Sequence, residues 1–304
     1  MAFGASLFKV LVIQATNNLS DDRTEFLIND RLSFMRFLGL GLSDRAPDAK
    51  TIWAFRERLT KAGAIKALFA RFDHAIRKAG YIPMAGQIVD ASLVSAPRQR
   101  NTAAEKTEIK AGRVPPEWKD KPAKLRQKDR DARWTLVSGK ARLREDGSRH
   151  ADIAIPVFGY KSHAGIDRRH GFIRTWDVTD ASSHDGRMLR RGLLDASNTA
   201  ATVWADSAYS SKANEAFLEK HGFRSQVHHR KPKGRPMAPH IRRGNASRSR
   251  VRAAVEHVFA RQKGGMGLFV RTIGIARAKV KIGMANLVYN IGRLVWQERR
   301  RGVA

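Results

Sequence analysis

The sequence predicts an α/β protein: a mixed sheet with helices on its faces, preceded by a small all-helical unit. Three observations carry this. Apolar residues recur at helical spacing between residues 23 and 80. The spacing changes after Tyr81-Ile82-Pro83. From there, short apolar runs alternate with helical stretches to the end of the chain, the order of a layered α/β domain.

Residues 1–15 are apolar with Lys9 in the middle. A secretory signal has its charge before the apolar run and small residues after it, so a buried amphipathic helix is expected instead. Thr24, Phe26, Leu27, Leu32, Phe34, Met35, Phe37 and Leu38 continue the helical pattern. GLGLSDRAPD (39–48) is a turn, and Asp48 caps a helix over 49–62 that Gly63 stops. Another helix covers 65–78. Helix, short turn, helix on a basic chain fits a helix-turn-helix, with Lys50, Arg56 and Arg58 on the candidate reading helix. An ordinary helical bundle fits equally.

The first strand is GQIVDASLVSA (86–96), with Ile88, Asp90, Ser92 and Val94 on one face. Residues 97–150 hold 16 Lys or Arg against 8 Asp or Glu, with four prolines. They read as a long, partly flexible insertion along phosphate backbone, with Trp118 and Trp134 as candidate base-stacking groups. Strands at 155–167 and 171–180 form an antiparallel hairpin. A helix over 184–196 follows, opened by His184-Asp185 as a cap. Then come a strand at 202–210 ending on a carboxylate, a helix at 212–222, a strand at 224–230 and helices at 250–265 and within 275–300. His228 and His229 read as basic surface. The division expected is a helical domain over 1–83 and an α/β domain over 84–304.

Lys plus Arg number 58 against 28 Asp plus Glu, a formal net charge of +30. Such an excess calls for a polyanion, most often nucleic acid. The absence of cysteine excludes disulfides, thiolate metal sites and a Cys nucleophile. No apolar run of 18 or more residues exists, so no membrane partner and a cytoplasmic, nucleoid-associated location are expected.

On so basic a chain, isolated carboxylates at strand ends stand out. Asp90 lies on the first strand, Asp206 at the end of a later one, and Glu256 on a helix near the C-terminus. Three carboxylates from separate elements suit two hard cations, Mg²⁺ or Mn²⁺, placed for in-line attack at phosphorus. Arg252 precedes Glu256 by four residues and Lys263 follows it by seven, on one helix face. A plain Arg–Glu surface pair is the competing reading. Lys161 and His163 alternate on one strand face, suited to a phosphate or to cross-strand packing.

Arg252, three residues, Glu256, six residues, Lys263 resembles the glutamate signature of DDE transposases. The blocks NDRLSFMRFLGL (29–40), PDAKTIWAFRERL (47–59), GQIVDASLVSAPRQRN (86–101), FGYKSHAGID (158–167), VTDASSHDG (178–186) and ADSAYSS (205–211) are similar, in order, to transposases of the bacterial insertion-sequence family numbered five. The resemblance runs over about 20–297. It implies a ribonuclease H-like fold, with Asp90, Asp206 and Glu256 as the catalytic, metal-holding triad. It also implies binding of double-stranded DNA at terminal inverted repeats and target, metal-dependent strand cleavage and strand transfer, and a homodimer on DNA. Ser249 stands where that family has a tyrosine, and the N-terminus is short for the family. The alternative expectation is therefore a shortened or decayed transposase that binds DNA without cutting it.

Overall fold

The computed structural model describes residues 2–138 and 154–302, with side chains from residue 6 onward. Five helices open the chain: α1 (Ala2–Asn17), α2 (Asp21–Asp30), α3 (Leu32–Leu38), α4 (Ala49–Lys61) and α5 (Ile65–Lys78). Side-chain caps set two of their starts. Ser20 Oγ accepts from the Arg23 amide, and Asp48 Oδ1 accepts from the Thr51 amide at 2.7 Å, which bears out the Asp48 cap. Gly63 follows α4 with φ +59°, a left-handed turn that an L side chain resists.

The remaining elements are β1 (Gln87–Ser95), α6 (Ala103–Lys110), α7 (Pro116–Lys119), α8 (Pro122–Gln127), β2 (Arg133–Ser138), β3 (Ala154–Asp167), β4 (Ile173–Asp180), α9 (Gly186–Leu189), β5 (Thr202–Ala205), α10 (Lys212–Lys220), β6 (Arg224–Val227), α11 (Pro239–Ala260) and α12 (Ile275–Arg301). The sheet is mixed. β1 runs antiparallel to β3, with Asp90 opposite Ala164, and β4 pairs antiparallel with the C-terminal half of β3. β5 and β6 run parallel to β1 on its other side. β2 extends the N-terminal half of β3 as a ribbon, with Trp134 opposite Phe158.

Alternation along β1 divides the core. Ile88 and Val94 belong to one large apolar cluster with Tyr160, Trp204, Val255, Val258 and the buried residues of α12. Val89 points the other way, into a smaller cluster with Leu189, Val203, Tyr209 and Leu218. The larger cluster also takes in α1, α4 and α5, so α12 completes the helical unit that opens the chain. Gly283 allows the close crossing: a Cβ there would lie 2.5 Å from Ile65 Cγ1 and 2.7 Å from Trp176 Cη2. Arg174 of β4, 2% exposed, bonds Asp73 of α5 at 2.7 Å, Asp167 of β3 at 3.0 Å and the Tyr81 carbonyl at 2.6 Å.

Two expectations need correction. The helix expected over 184–196 is the single turn Gly186–Leu189, because Gly192 takes φ +90° and the chain turns away. The insertion is folded over residues 97–138 rather than an open run; residues 139–150 lie outside the described residues. Its organiser is Glu105, 5% exposed. Glu105 closes a capping box with Thr102 and accepts from Trp118 Nε1 and Lys124 Nζ, both at 2.6 Å. Trp118 is fully buried, so its ring is a core group of the insertion and has no face for a base. No helix among the described residues is long and apolar enough to cross a membrane.

Candidate active site

The parallel register sets Gln87 beside Val203 and Ile88 beside Trp204. Carried two residues on, it brings Asp90 level with Asp206, on strands about 5 Å apart. Both have the parity of Ile88 and Trp204, so both belong to the face that α11 covers. Asp206 ends the strand as an N-cap: its Oδ1 accepts from the Ala208 amide at 2.8 Å and starts a 3₁₀ turn, Ser207–Tyr209.

α11 crosses this face with Val255 and Val258 buried, and brings Arg252 to Asp90. The guanidinium Nη2 donates to Asp90 Oδ2 at 2.8 Å, while Asp90 Oδ1 accepts from the Ala91 amide at 2.8 Å. Burial nonetheless pushes the Asp90 carboxyl up to about 6, with Asp206 adding to the rise; Arg252 opposes it. An acid held this way is short of positive charge.

Glu256 lies one turn beyond Arg252, about 6 Å along the helix axis, and is exposed. It makes no ion pair among the described residues. Lys263 lies past the last α-helical turn of α11, where the helix runs on with a wider winding that shifts it off the 3.6-residue spacing. It sits in a π-helical turn, Arg261–Gly265, that follows Ala260. This turn carries Lys263 to a cavity of about 600 Å³ that Lys161, Asp185, Ala91 and Leu93 also line.

Lys161 and His163 have the parity of Ala91 and Leu93, so they occupy the face opposite Asp90. Lys161 Nζ is held by Asp185 at 2.9 Å and by the Ser183 carbonyl at 2.7 Å. His163 is fully buried, with Nε2 against Thr179 Oγ1 at 2.9 Å. Burial lowers its pKa to about 4, so the ring is neutral and offers a phosphate no charge. Arg56 is likewise engaged inside the protein: it grips Asp21 at 2.5 and 2.8 Å and Gln14 at 3.1 Å. Lys50 and Arg58 are exposed on α4, as is Trp53.

Asp185 and His228 take places at the site other than the cap and basic surface expected of them, and Tyr209 was not singled out by the sequence. Asp185 makes no cap bond to α9; its carboxylate goes to Lys161 instead, and His184 Nδ1 accepts from the Gly186 amide. Tyr209 is fully buried, and its hydroxyl has no hydrogen-bond partner among the described residues. Burial raises its pKa, and the charges of Asp90, Asp185 and Asp206 raise it further. His228, at the end of β6, is half-buried; burial and the Arg252 charge lower its pKa. Asn214 locks the layout, donating to the Gly186 carbonyl at 2.9 Å and the Tyr209 carbonyl at 2.7 Å. The visible signal was the spacing Asp206-Ser-Ala-Tyr209; no periodicity marks Asp185.

A mixed α/β domain with carboxylates level on neighbouring parallel strands, under a helix that bears cations, is the class these features define. The Transposase DDE domain model matches residues 83–291, and the Transposase domain (DUF772) model matches residues 4–58. The first match spans well over half of the chain, which belongs to the Transposase DDE domain family. Its function is therefore of the transposase class, and its mixed sheet with flanking helices is consistent with the ribonuclease H-like domain of such enzymes. No solved structure matches the chain.

Proposed function

We propose that this transposase binds the terminal inverted repeats of its own insertion sequence, cuts the DNA strands with water and joins the freed 3′-hydroxyl to target DNA. It belongs, in this reading, to the insertion-sequence family numbered five, with a helical DNA-binding unit over 1–83 and a ribonuclease H-like catalytic domain over 84–304. What supports the reading is the parallel pairing of Ile88 with Trp204, which extended by two residues sets Asp90 level with Asp206, together with Arg252 at 2.8 Å from Asp90.

The donor set fits a hard divalent cation. Asp90 and Asp206 supply oxygen ligands, and the buried Asp90 carboxyl, pushed up to about 6, gains from any cation that reaches it. Among the described residues no third Asp, Glu or His already completes the set. Glu256 completes it when its exposed side chain turns inward from α11. Two Mg²⁺ or Mn²⁺ ions, once bound, supply the activation of the attacking oxygen and the neutralisation of the leaving one.

The chain's own residues do the rest. Arg252 balances Asp90 in the metal-free site and turns to a phosphate when a cation replaces it. Lys263 holds phosphate at the mouth of the adjoining cavity. Lys161 acts by fixing the Asp185 loop, which Asn214 ties to the Asp206 turn. On α4 the exposed Lys50, with Arg58, meets DNA, while Arg56 is committed to Asp21. Cutting two ends of one element calls for a homodimer on DNA, in the cytoplasm at the nucleoid.

The test is Mg²⁺-dependent nicking and joining of a duplex that carries the terminal repeat. Glu256→Gln is expected to bind that duplex and leave it intact. Full cleavage by this variant would remove Glu256 from the triad. Binding without cleavage by the native chain, under either cation, would leave only a DNA-gripping protein.

A further inference from the structure

A cavity of about 810 Å³ lies between the insertion and the β2–β3 ribbon, away from the carboxylates. Its size is that of a site for one small organic group, and it is far too small for a duplex. Trp134, Phe158, Leu136, Pro156 and Ile109 make its walls apolar. Trp134 is fixed rather than free: its Nε1 donates to the Gln99 carbonyl at 3.0 Å, and its ring tilts on Phe158 at 5.4 Å. It still keeps 36% of its surface exposed.

The rim is cationic. Arg100, Lys106 and Lys110 border the cavity, and all three are exposed. Lys106 and Lys110 lie four residues apart on α6, a like-charge spacing that disfavours the helix unless an anion bridges it. Among the described residues the lining has one carboxylate, Asp129, and it is spent internally. Its Oδ2 accepts from Tyr160 Oη at 2.6 Å, and its Oδ1 from the amides of Asp131 and Ala132. A flat aromatic wall under a positive rim matches a base with its phosphates.

We propose that this cavity receives one unstacked nucleotide of a single-stranded DNA segment, its base against Trp134 and its flanking phosphates on Arg100, Lys106 and Lys110. The inference rests on the DNA reading above and adds a site to it. The cavity wall resumes at Gln99, four residues past the end of β1. Asp90 lies five residues before that end, about 17 Å back along the strand. The bound nucleotide is therefore several steps removed from the phosphate at the carboxylates, which suits a frayed or cut DNA end.

The experiment uses the full chain in EDTA, so that nothing is cut. Fluorescence anisotropy compares a blunt duplex with the same duplex bearing a short single-stranded extension. The native chain is expected to prefer the extended duplex by roughly five- to 150-fold, the range for stacking one base. Trp134→Ala should erase most of that preference and leave blunt-duplex affinity in place, whereas Trp134→Phe should keep it. The paired change Lys106→Glu with Lys110→Glu, on an exposed helix face, should also lower the ratio. Equal binding of the two probes by the native chain, or an unchanged ratio in both Trp134→Ala and the lysine pair, would overturn the proposal alone. Binding of neither probe would overturn the DNA reading, and this site with it.

Discussion

Replacing Asp206 by Asn should make the metal-free protein more stable. Asn is isosteric and keeps an Oδ1 that accepts from the Ala208 amide, so the cap of the 3₁₀ turn survives. What disappears is the negative charge facing Asp90. The rise of Asp90 from 3.8 to about 6 corresponds to about 3 kcal/mol of unfavourable environment for its ionised form. Burial is the larger raising cause and Asp206 the smaller, with Arg252 and the Ala91 amide pulling the other way. Coulomb's law sets the scale of the Asp206 share: two charges ~7 Å apart interact by ~2 kcal/mol at an effective dielectric of ~20, and by ~1 kcal/mol where water reaches them. In EDTA at neutral pH and low salt, Asp206→Asn should therefore melt about 1–2 °C above the native chain. Saturating Mg²⁺ should reverse the order. The native site gains about 2.7 kcal/mol at a cation concentration a hundred times its Kd, while the variant, missing a ligand, gains much less. A lower melting temperature for the variant in EDTA, or an equal Mg²⁺ gain in both proteins, would refute the claim that these two acids face each other across one cation site.

Other perturbations have equally definite outcomes. Glu105→Ala removes the capping box and strands the buried Trp118 Nε1, so chemical denaturation should show a loss of about 3 kcal/mol. The bonds from Lys124 and Trp118 hold the Glu105 carboxyl down at about 2. Its contribution is complete above its ordinary value near 4.5 and disappears as pH falls through 2, so acid titration of the native chain should show a loss of stability in that window that Glu105→Gln does not show. Arg174→Met leaves Asp73 and Asp167 buried without their shared cation and should cost about 3–5 kcal/mol in urea unfolding; a change under 1 kcal/mol would mean the carboxylates find other partners. Gly283→Ala forces a methyl into Ile65 and Trp176 and should cost about 1–3 kcal/mol, read as a lowered melting temperature with DNA binding kept below it.

Legibility in the sequence followed the range of the forces involved. The span of α5, residues 65–78, was readable because a strong apolar stripe runs between Gly63 and Gly80, and both glycines take left-handed φ. β1 was readable because Ile88, Asp90, Ser92 and Val94 alternate. Its single acid stood out against an apolar strand. The helices of the insertion were missed, although their starts were written locally: Thr102-Ala-Ala-Glu105 is a capping box, and Pro116 and Pro122 each open a helix. Composition misled there, since 16 cations hide a core built on one buried Glu and one buried Trp. The first half of α11 was missed for a related reason: residues 239–250 have no apolar stripe to announce a helix.

What no local pattern carried is the closure of the molecule by α12. Its apolar residues read as a helix, yet nothing in its sequence says that it packs on α1, α4, α5 and β4 together. That packing matters for how the molecule handles DNA. Arg277 of α12 grips Glu57 of α4 at 2.6 and 2.8 Å, and Asn290 of α12 exchanges two bonds with Ile173 of β4 at 2.8 and 2.9 Å. Arg174 adds the tie from α5 to β3 and β4. The exposed face of α4, with Lys50, Trp53 and Arg58, is thus fixed to the sheet that carries Asp90. DNA held on α4 would meet the carboxylates at a set angle rather than through a swinging hinge. Breaking Arg277–Glu57 by Arg277→Met should then loosen the coupling: cleavage of the terminal-repeat duplex should fall more than its binding does. A proportional fall in both would show that the two units orient DNA independently.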